Sequence, residues 1–352
     1  MSTYYTDEVN VQTLIALMKH HGVRRVVASP GTTNITFVAS IQQDPFFKVY
    51  SSVDERSAAY IACGMAAETG ESVALSCTGA TASRNYLSGL TEAYYRKLPV
   101  LAVTATQHLG RIGHMVPQVI DRTSKLNDAC RMSVQCLSVH DDDDRWACEA
   151  SLNRALLELT RDGGGPVHVN LVTTYSSNFD VPALPSVHPV DRVEVGDELP
   201  SLAGKKAVVY VGAHRVWDER LTAAVDAFCA AYDAVVLYDH TSNYVGAYGI
   251  LGSLVLTQTH YVPSCKLVDV LIHIGDVSGA CGGPIARECW RVNPDGNACD
   301  PFGKLRYVFD MREIEFFEAY ASVVEGSTTT LNSRQLNEWR SEDAKLRKKI
   351  PL

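Results

Sequence analysis

Two neighbouring acids, Asp54 and Glu55, stand before a run of small apolar residues in the stretch SSVDERSAAYIACGMAAETG at residues 51–70. The apolar positions of that run recur at helical spacing and predict a helix with a narrow inner face that can pack closely on a sheet. Carboxylates at the end of a strand lie where open α/β sheets bind their ligands. The same spacing also fits an ordinary cap, with Asp54 capping the helix and Glu55 favouring its dipole. On spacing alone, capping is the stronger interpretation.

The common catalytic signatures are missing from the sequence. It contains no G-x-x-x-x-G-K-[ST] loop, no G-x-G-x-x-G after a strand, no H-E-x-x-H and no G-x-S-x-G. Phosphate cradling by a P-loop, hydride transfer and serine hydrolysis therefore have no positive support. Two strand-to-loop glycines, Gly212 and Gly275, are most simply explained by tight turns, with a ligand crevice as the alternative.

Charge and composition exclude several other classes. The chain has 352 residues, a net charge of −8 and 46% hydrophobic residues, so it is globular, and two domains are expected. It shows neither a basic footprint for nucleic acid nor an apolar run long enough to span a bilayer, and we expect a cytoplasmic protein. The ten cysteines form no C-x-x-C pair, which favours buried free thiols over a metal site or disulfides. The acids at 141–144 favour a helix dipole rather than calcium ligation.

Short β-branched runs alternate with helical stretches, the pattern of two doubly wound, mainly parallel α/β sheets. In the first half, helices are predicted at 11–21, from the turn at 29–31 through 41, within the stretch at 51–70, and at 84–96 and 145–161, and strands at 25–28, 47–50, 72–77, 100–104 and 167–171. In the second half, a helix is predicted at 218–232 and strands at 207–211, 234–237, 268–274 and 306–309. The predicted organisation is a first domain at 1–180, a proline-containing linker at 181–200, a smaller Rossmann-like domain at 201–330 and a charged connector helix at 331–352.

Several blocks occur together in a familiar order: SPGT at 29–32, the DERSA block at 54–58, CTGATASRN at 77–85, KLPVLAVT at 97–104 and GPVHVNL at 165–171. Together they resemble the pyrimidine-binding domain of the thiamine-diphosphate-dependent decarboxylase and carboligase superfamily. The resemblance covers about the first 175 residues. The residues of these blocks are most similar to those of the branch that contains the menaquinone-pathway SEPHCHC synthase, and they are less similar to those of acetolactate synthase.

The resemblance implies a role for Glu55. In this superfamily a glutamate at the end of the second strand hydrogen-bonds N1′ of the cofactor's aminopyrimidine, and it maps onto Glu55. An acid that shares a proton with a heteroaromatic nitrogen needs an apolar, water-poor surrounding, which the small apolar helix would help to supply.

Other positions carry over by the same resemblance. Pro30, Gly31, Thr78, Gly79 and Asn85 are expected to border the cofactor, although helix capping explains Asn85 equally well. On the substrate side the candidates are Thr32, Thr33, His108, His114 and Gln118. Gln118 would face the reacting carbonyl, and either histidine could shuttle protons or be an exposed structural residue.

Two departures from the family pattern bear on the substrate. In the menaquinone enzyme arginines that would bind carboxylates stand where this chain has Thr33 and Gln107. Neither side chain can form a bidentate pair with a carboxylate, so we expect this protein not to make the menaquinone-pathway product.

The third domain of the family is not recognisable here. Its Gly-Asp-Gly motif and downstream Asn pair hold Mg²⁺ and the diphosphate, and the nearest string, Gly275-Asp276-Val277, lacks the pair. We therefore expect no metal ligands in this chain. A separate diphosphate-binding subunit would complete a thiamine diphosphate and Mg²⁺ site, in a homodimer or a hetero-oligomer.

The predicted reaction is decarboxylation of a small-molecule 2-oxo acid, followed by protonation or ligation. The alternatives are a shortened form of a longer enzyme and a non-catalytic binding or regulatory protein on the same scaffold.

Overall fold

The computed structural model describes residues 4–279, 282–323 and 333–350. They form two compact units, residues 1–189 and 190–352, each of which contains a parallel sheet. Both sheets carry helices, so the predicted α/β class is confirmed.

The first unit has a six-stranded sheet with the order β2-β1-β3-β4-β6-β5, and every pair is parallel. The strands are β1 (Arg25–Ala28), β2 (Lys48–Ser51), β3 (Val73–Cys77), β4 (Val100–Thr106), β5 (Met132–Cys136) and β6 (Val167–Val172). The helices are α1 (Val9–His20), α2 (Ile35–Gln42), α3 (Glu55–Thr69), α4 (Thr81–Asn85), α5 (Leu87–Tyr95) and α6 (Asp142–Glu158).

Buried side chains cover both faces of this sheet. Neighbouring strand residues alternate between two apolar clusters, as Val26 and Val27 do, because successive side chains point to opposite faces. One cluster contains residues of α1, α2 and α6 and the other those of α3 and α5. A sheet buried on both faces is typical of doubly wound folds.

The second unit has a seven-stranded parallel sheet with the order β10-β9-β8-β11-β12-β13-β7. Its strands are β7 (Asp191–Glu194), β8 (Ala207–Val211), β9 (Val235–Tyr238), β10 (Gly249–Leu251), β11 (Leu267–Ile274), β12 (Ile285–Asn293) and β13 (Leu305–Asp310). Its helices are α7 (Glu219–Tyr232), α8 (Ser253–Leu256), α9 (Glu313–Val323) and α10 (Arg334–Arg347).

The structure differs from the sequence prediction at both ends of the second unit. The range 181–200 was predicted as a linker, but β7 lies within it and pairs with β13, while Val181 is part of the first unit and bridges Tyr5 within that unit. The helix predicted as a connector, α10, buries Trp339 and Leu336 in the core of the second unit. Because most residues of α10 are polar, the apolar stripe that contains Trp339 and Leu336 was not evident from its composition. Residues 331, 332, 351 and 352 of that prediction lie outside the described residues.

The thiols are as the sequence predicted where they are described. Eight cysteines are buried and free, Cys299 is exposed and free, and Cys281 lies outside the described residues. In the part of the chain that the structure covers, no helix has the length and apolarity needed to cross a membrane. The same residues contain no group of three or more metal-ligating side chains.

Candidate functional site

The first sheet has its topological switch point between β1 and β3. The chain passes from β1 to β2 on one side and then returns across β1 to β3 on the other, so the loops after β1 and β3 diverge. Ligands of open α/β sheets bind in the crevice beyond the carboxyl ends of such strands. The turn at 29–34, the loop at 78–80 and Glu55 all follow carboxyl ends of β1, β3 or β2.

Two glycines allow these loops to touch. A Cβ on Gly31 would lie 2.6 Å from Cβ of Thr78. A Cβ on Gly79 would collide with the carbonyl oxygen of Gln118 and approach that of Ala105 to 3.1 Å. Gln118 itself has φ of 67°, a left-handed conformation that is uncommon for residues other than glycine. The structure therefore brings together Gly31, Thr78, Gly79 and Gln118.

Hydroxyl and amide groups fasten the two loops. Thr33 Oγ1 lies 2.5 Å from Thr78 Oγ1 and accepts the backbone N–H of Gly79 at 3.1 Å. Asn34 Nδ2 donates to the Ser29 carbonyl at 3.2 Å and to Ser76 Oγ at 3.1 Å. Thr33, which was predicted on the substrate side, is fully buried, and its hydroxyl joins the two loops.

The sequence left open whether Asp54 and Glu55 cap a helix or bind a ligand, and the structure distinguishes the two residues. Asp54 is the N-cap of α3, since its Oδ1 accepts the Ser57 N–H at 2.7 Å. Hydrogen bonds from Ser57 lower the pKa of Asp54, because they stabilise its charged form. Glu55 is half-buried, and its Oε2 accepts the Asn85 side-chain amide at 3.3 Å. The second carboxylate oxygen of Glu55 has no hydrogen-bond partner among the described residues, which leaves it available to a ligand.

Buried groups connect Glu55 with the loops at the switch point. Burial raises the pKa of Tyr86 well above its usual range, and the charges of Cys77 and Glu55 act in the same direction. Burial likewise raises the pKa of Cys77 to about 12. The charge of Glu55 therefore acts on a buried phenol and a buried thiol of the first unit.

The remaining predicted residues lie at the surface. Pro30, Thr32 and His114 are exposed. His108 is exposed too, and its Nδ1 accepts the Gly110 N–H at 3.1 Å, which is a capping contact. No described hydrogen bond joins either histidine to Glu55 or to Gln118.

Three arginines near these loops were not singled out from the sequence. Arg111 donates to the side-chain oxygen of Gln107, so a guanidinium lies beside the position where the family arginine is missing. Arg84 donates to the Asp121 carbonyl at 2.9 Å, and Arg122 donates to the Ala105 carbonyl at 3.0 Å. Arg122 is 5% exposed, and burial lowers its pKa to about 10. The i, i+4 spacing of Gln107 and Arg111 could have indicated the first contact, whereas only the fold shows that Arg122 is buried.

Comparison with known proteins gives a family match for part of the first unit. Residues 10–125 match the family described as thiamine pyrophosphate enzyme, N-terminal TPP binding domain. The first unit is thus similar to the N-terminal cofactor-binding domain of thiamine diphosphate-dependent enzymes.

Curated relatives of the chain are 2-succinyl-5-enolpyruvyl-6-hydroxy-3-cyclohexene-1-carboxylate synthases. The protein from Bacteroides thetaiotaomicron is 28% identical over 350 residues, covering 91% of this chain and 61% of the relative. The one from Phocaeicola vulgatus is 29% identical over 351 residues, covering 92% and 61%. Over 191 residues, 54% of this chain and 34% of the relative, the protein from Bacteroides fragilis is 36% identical.

A solved thiamine diphosphate-dependent 4-hydroxybenzoylformate decarboxylase from Rhodococcus jostii is 17% identical, with a TM-score of 0.41 over 92% of this chain and 63% of that one. The chain thus spans about 61% of the length of the first two curated relatives.

Proposed function

We propose that the first unit binds the aminopyrimidine ring of thiamine diphosphate through Glu55. On this proposal the chain acts in decarboxylation of a 2-oxo acid, with protonation or ligation of the product. The observation that carries the proposal is the free oxygen of the Glu55 carboxylate at a switch-point crevice, in a unit whose residues 10–125 match the N-terminal TPP binding domain. Thiamine diphosphate, when bound, supplies the electron sink for cleaving the bond next to a 2-oxo acid carbonyl.

The residues of the crevice suit a flat, hydrogen-bonding ring. Glu55 would hold a proton between its free oxygen and the ring nitrogen N1′, while the Asn85 amide keeps the other oxygen in place. Gly31 and Gly79 allow the two loops to approach each other closely, which would hold the loops in place beside the ring. Pro30, Thr78 and Asn85 complete the proposed cofactor set.

The surface around Glu55 supports a further part of the proposal, that another protein surface closes the site. Val53 is 87% exposed, and Tyr60 and Ile61 on α3 are 48% and 42% exposed, so apolar side chains face solvent close to Glu55. Covering them would remove water from Glu55 and strengthen its interaction with a bound ring. We assign this cover, together with Mg²⁺ and the diphosphate, to a separate diphosphate-binding subunit, in a homodimer or a hetero-oligomer.

On the substrate side we propose Arg111 as the group that meets the carboxylate of the 2-oxo acid. It is exposed and is held at Gln107 in the loop after β4. Arg84 and Arg122 donate to backbone carbonyls, and Thr33 is engaged by Thr78, so we assign the substrate carboxylate to Arg111 alone and favour a monocarboxylic 2-oxo acid over a dicarboxylic one. Thr32, Gln118, His108 and His114 stay proposals for the substrate side.

Calorimetry tests the proposal most simply. Thiamine diphosphate and Mg²⁺ are titrated into this chain alone and into its mixture with a diphosphate-binding subunit. We expect tight binding in the mixture and a loss of at least about tenfold in affinity in Glu55→Gln, because a charge-assisted hydrogen bond is removed.

Asp54→Asn is the matched control, since it changes the neighbouring acid but keeps a capping residue, and its affinity should be unchanged. Failure of the mixture to bind the cofactor contradicts the proposal. Cofactor-free binding of a small molecule would instead support the non-catalytic alternative.

A further inference from the structure

The second sheet has its own switch point, between β8 and β11, and a cavity lies there. β9 and β10 lie on one side of β8, and β11 lies on the other. The cavity has a volume of about 600 Å³ and is lined from the carboxyl ends of β8, β11 and β12 and the loops that follow them. This volume is in the range of small-molecule sites.

Three polar side chains form a row across the strands that line the cavity. The sheet register pairs Tyr210 of β8 with His273 of β11, and His273 with Arg291 of β12. All three are 5–6% exposed. The ring of Phe302 lies edge-on to Tyr210 at 5.3 Å and to His273 at 5.4 Å between ring centroids, which gives the cavity an apolar wall.

Arg291 has no ion-pair partner. No carboxylate lies within 4.0 Å of its guanidinium in residues 4–279, 282–323 and 333–350. Its Nη1 lies 3.4 Å from Nδ1 of His273, and its buried Nε has no hydrogen-bond partner. Burial, and then the charge of Arg291, lowers the pKa of His273 to about 3, so the imidazole is neutral at physiological pH. A buried cation beside a neutral ring requires a counter-charge.

Two acidic residues also line the cavity, and they limit the negative charge of a ligand that can bind there. Asp276 and Asp300 also line it. Asp300 Oδ1 already accepts the backbone N–H groups of Lys304 and Leu305, at 2.9 Å and 3.1 Å. These carboxylates would repel a polyanion, whereas one guanidinium matches one carboxylate group.

We infer that the second unit is a binding site for a small organic monocarboxylate whose carboxylate pairs with Arg291 and whose apolar body lies against Phe302. The site uses no residue of the proposed cofactor site. It is therefore tested independently of Glu55.

Benzoate is a suitable probe, and benzamide is its neutral counterpart. Binding of each to the full chain is measured by calorimetry and by the imidazole ¹⁵N shifts of His273. We expect benzoate to bind saturably, to shift the His273 resonances and to bind at least about tenfold more tightly than benzamide.

Arg291→Gln should reduce benzoate affinity by at least about tenfold, and Arg291→Lys should restore part of it. Arg287→Gln is the matched control, because Arg287 lies on the same strand but is exposed and pairs with Asp269. Its affinity should equal that of the unaltered chain. Should Arg291→Gln fail to fold, the comparison of benzoate with benzamide and the His273 shifts still decide. Equal binding of the two probes, no saturable benzoate binding, or unchanged affinity in a folded Arg291→Gln overturns the inference.

Discussion

The two sheets have similar winding but opposite chemistry at their switch points. In the first, the crevice presents a half-buried carboxylate, Glu55, beside loops whose hydroxyls bond to each other. In the second, it presents a buried guanidinium, Arg291, beside a neutral histidine. Winding therefore determines where a ligand can bind, while a few residues at strand ends decide which ligand it is.

The largest expected effect is a pH dependence of the free energy of unfolding, to which both units contribute. Burial lowers the pKa of His168 in the first unit to about 3, and that of His273 in the second to about 3. In the unfolded chain each imidazole binds a proton below pH ~6.5, whereas the folded form stays neutral. The free energy of unfolding should therefore fall as the pH drops from ~6.5 towards ~3, by up to ~1.4 kcal/mol per pH unit for each histidine.

Urea denaturation at several pH values measures this slope. Each of the substitutions His168→Gln and His273→Gln should reduce this slope by the contribution of one histidine. His168 accepts or donates to Thr104 and Ser133 at 2.7 Å and 2.8 Å, while His273 faces Arg291. If the slope changed in His168→Gln but not in His273→Gln, His273 would not be held neutral in the folded chain, and the two units would differ in this respect.

A second effect concerns the glycines that close each crevice. Gly79→Ala would drive a Cβ against the Gln118 carbonyl, and Gly212→Ala against the Asp276 carbonyl. Since backbone must move in both, we expect each to lower the free energy of unfolding by ~1–3 kcal/mol.

Gly64→Ala is the control, because this glycine lies within α3 with no atom within 4 Å of its Cβ position. Alanine there should stabilise the chain by ~0.5–1 kcal/mol. Tolerance of Gly79→Ala in denaturation curves would mean that the loops of the first crevice are not in contact.

The smallest effect compares two helix caps. Asp54 caps α3 and Asp218 caps α7, each with an N–H to Oδ1 distance of 2.7 Å. Replacing either residue with alanine should lower the free energy of unfolding by ~1 kcal/mol, whereas asparagine should keep most of the stability that the cap contributes. Thermal midpoints check this. A much larger loss for Asp54→Ala than for Asp218→Ala would mean that Asp54 does more than cap.

The sequence predicted the central strands well because they are continuous apolar runs. The bounds of β1 and β8 agree with the prediction, and those of β3 and β11 differ by one residue at one end. Strands with polar or charged residues were missed, as β12 shows: it contains Arg287, Glu288 and Arg291, and only its pairing with β11 and β13 makes it a strand. β5 and β7 are short and were missed for the same reason.

The candidate site was predictable in part. Glu55, Gly31 and Gly79 followed from ordered motifs, and the structure brings the turn at Gly31 and the loop at Gly79 together. The engagement of Thr33 by Thr78 and the unpaired guanidinium of Arg291 depend on contacts between residues far apart in sequence. No local pattern encodes such contacts.

The central claim is that Glu55 shares a proton with the cofactor's pyrimidine ring. Its most direct test is the rate at which the C2 proton of bound thiamine diphosphate exchanges with deuterium, measured by quenched-flow NMR on the assembled complex with saturating cofactor. We predict that Glu55→Gln slows this exchange by at least about 100-fold, as expected for loss of acid–base catalysis, while Asp54→Asn leaves it unchanged. Exchange in Glu55→Gln as fast as in the unaltered protein would contradict the claim.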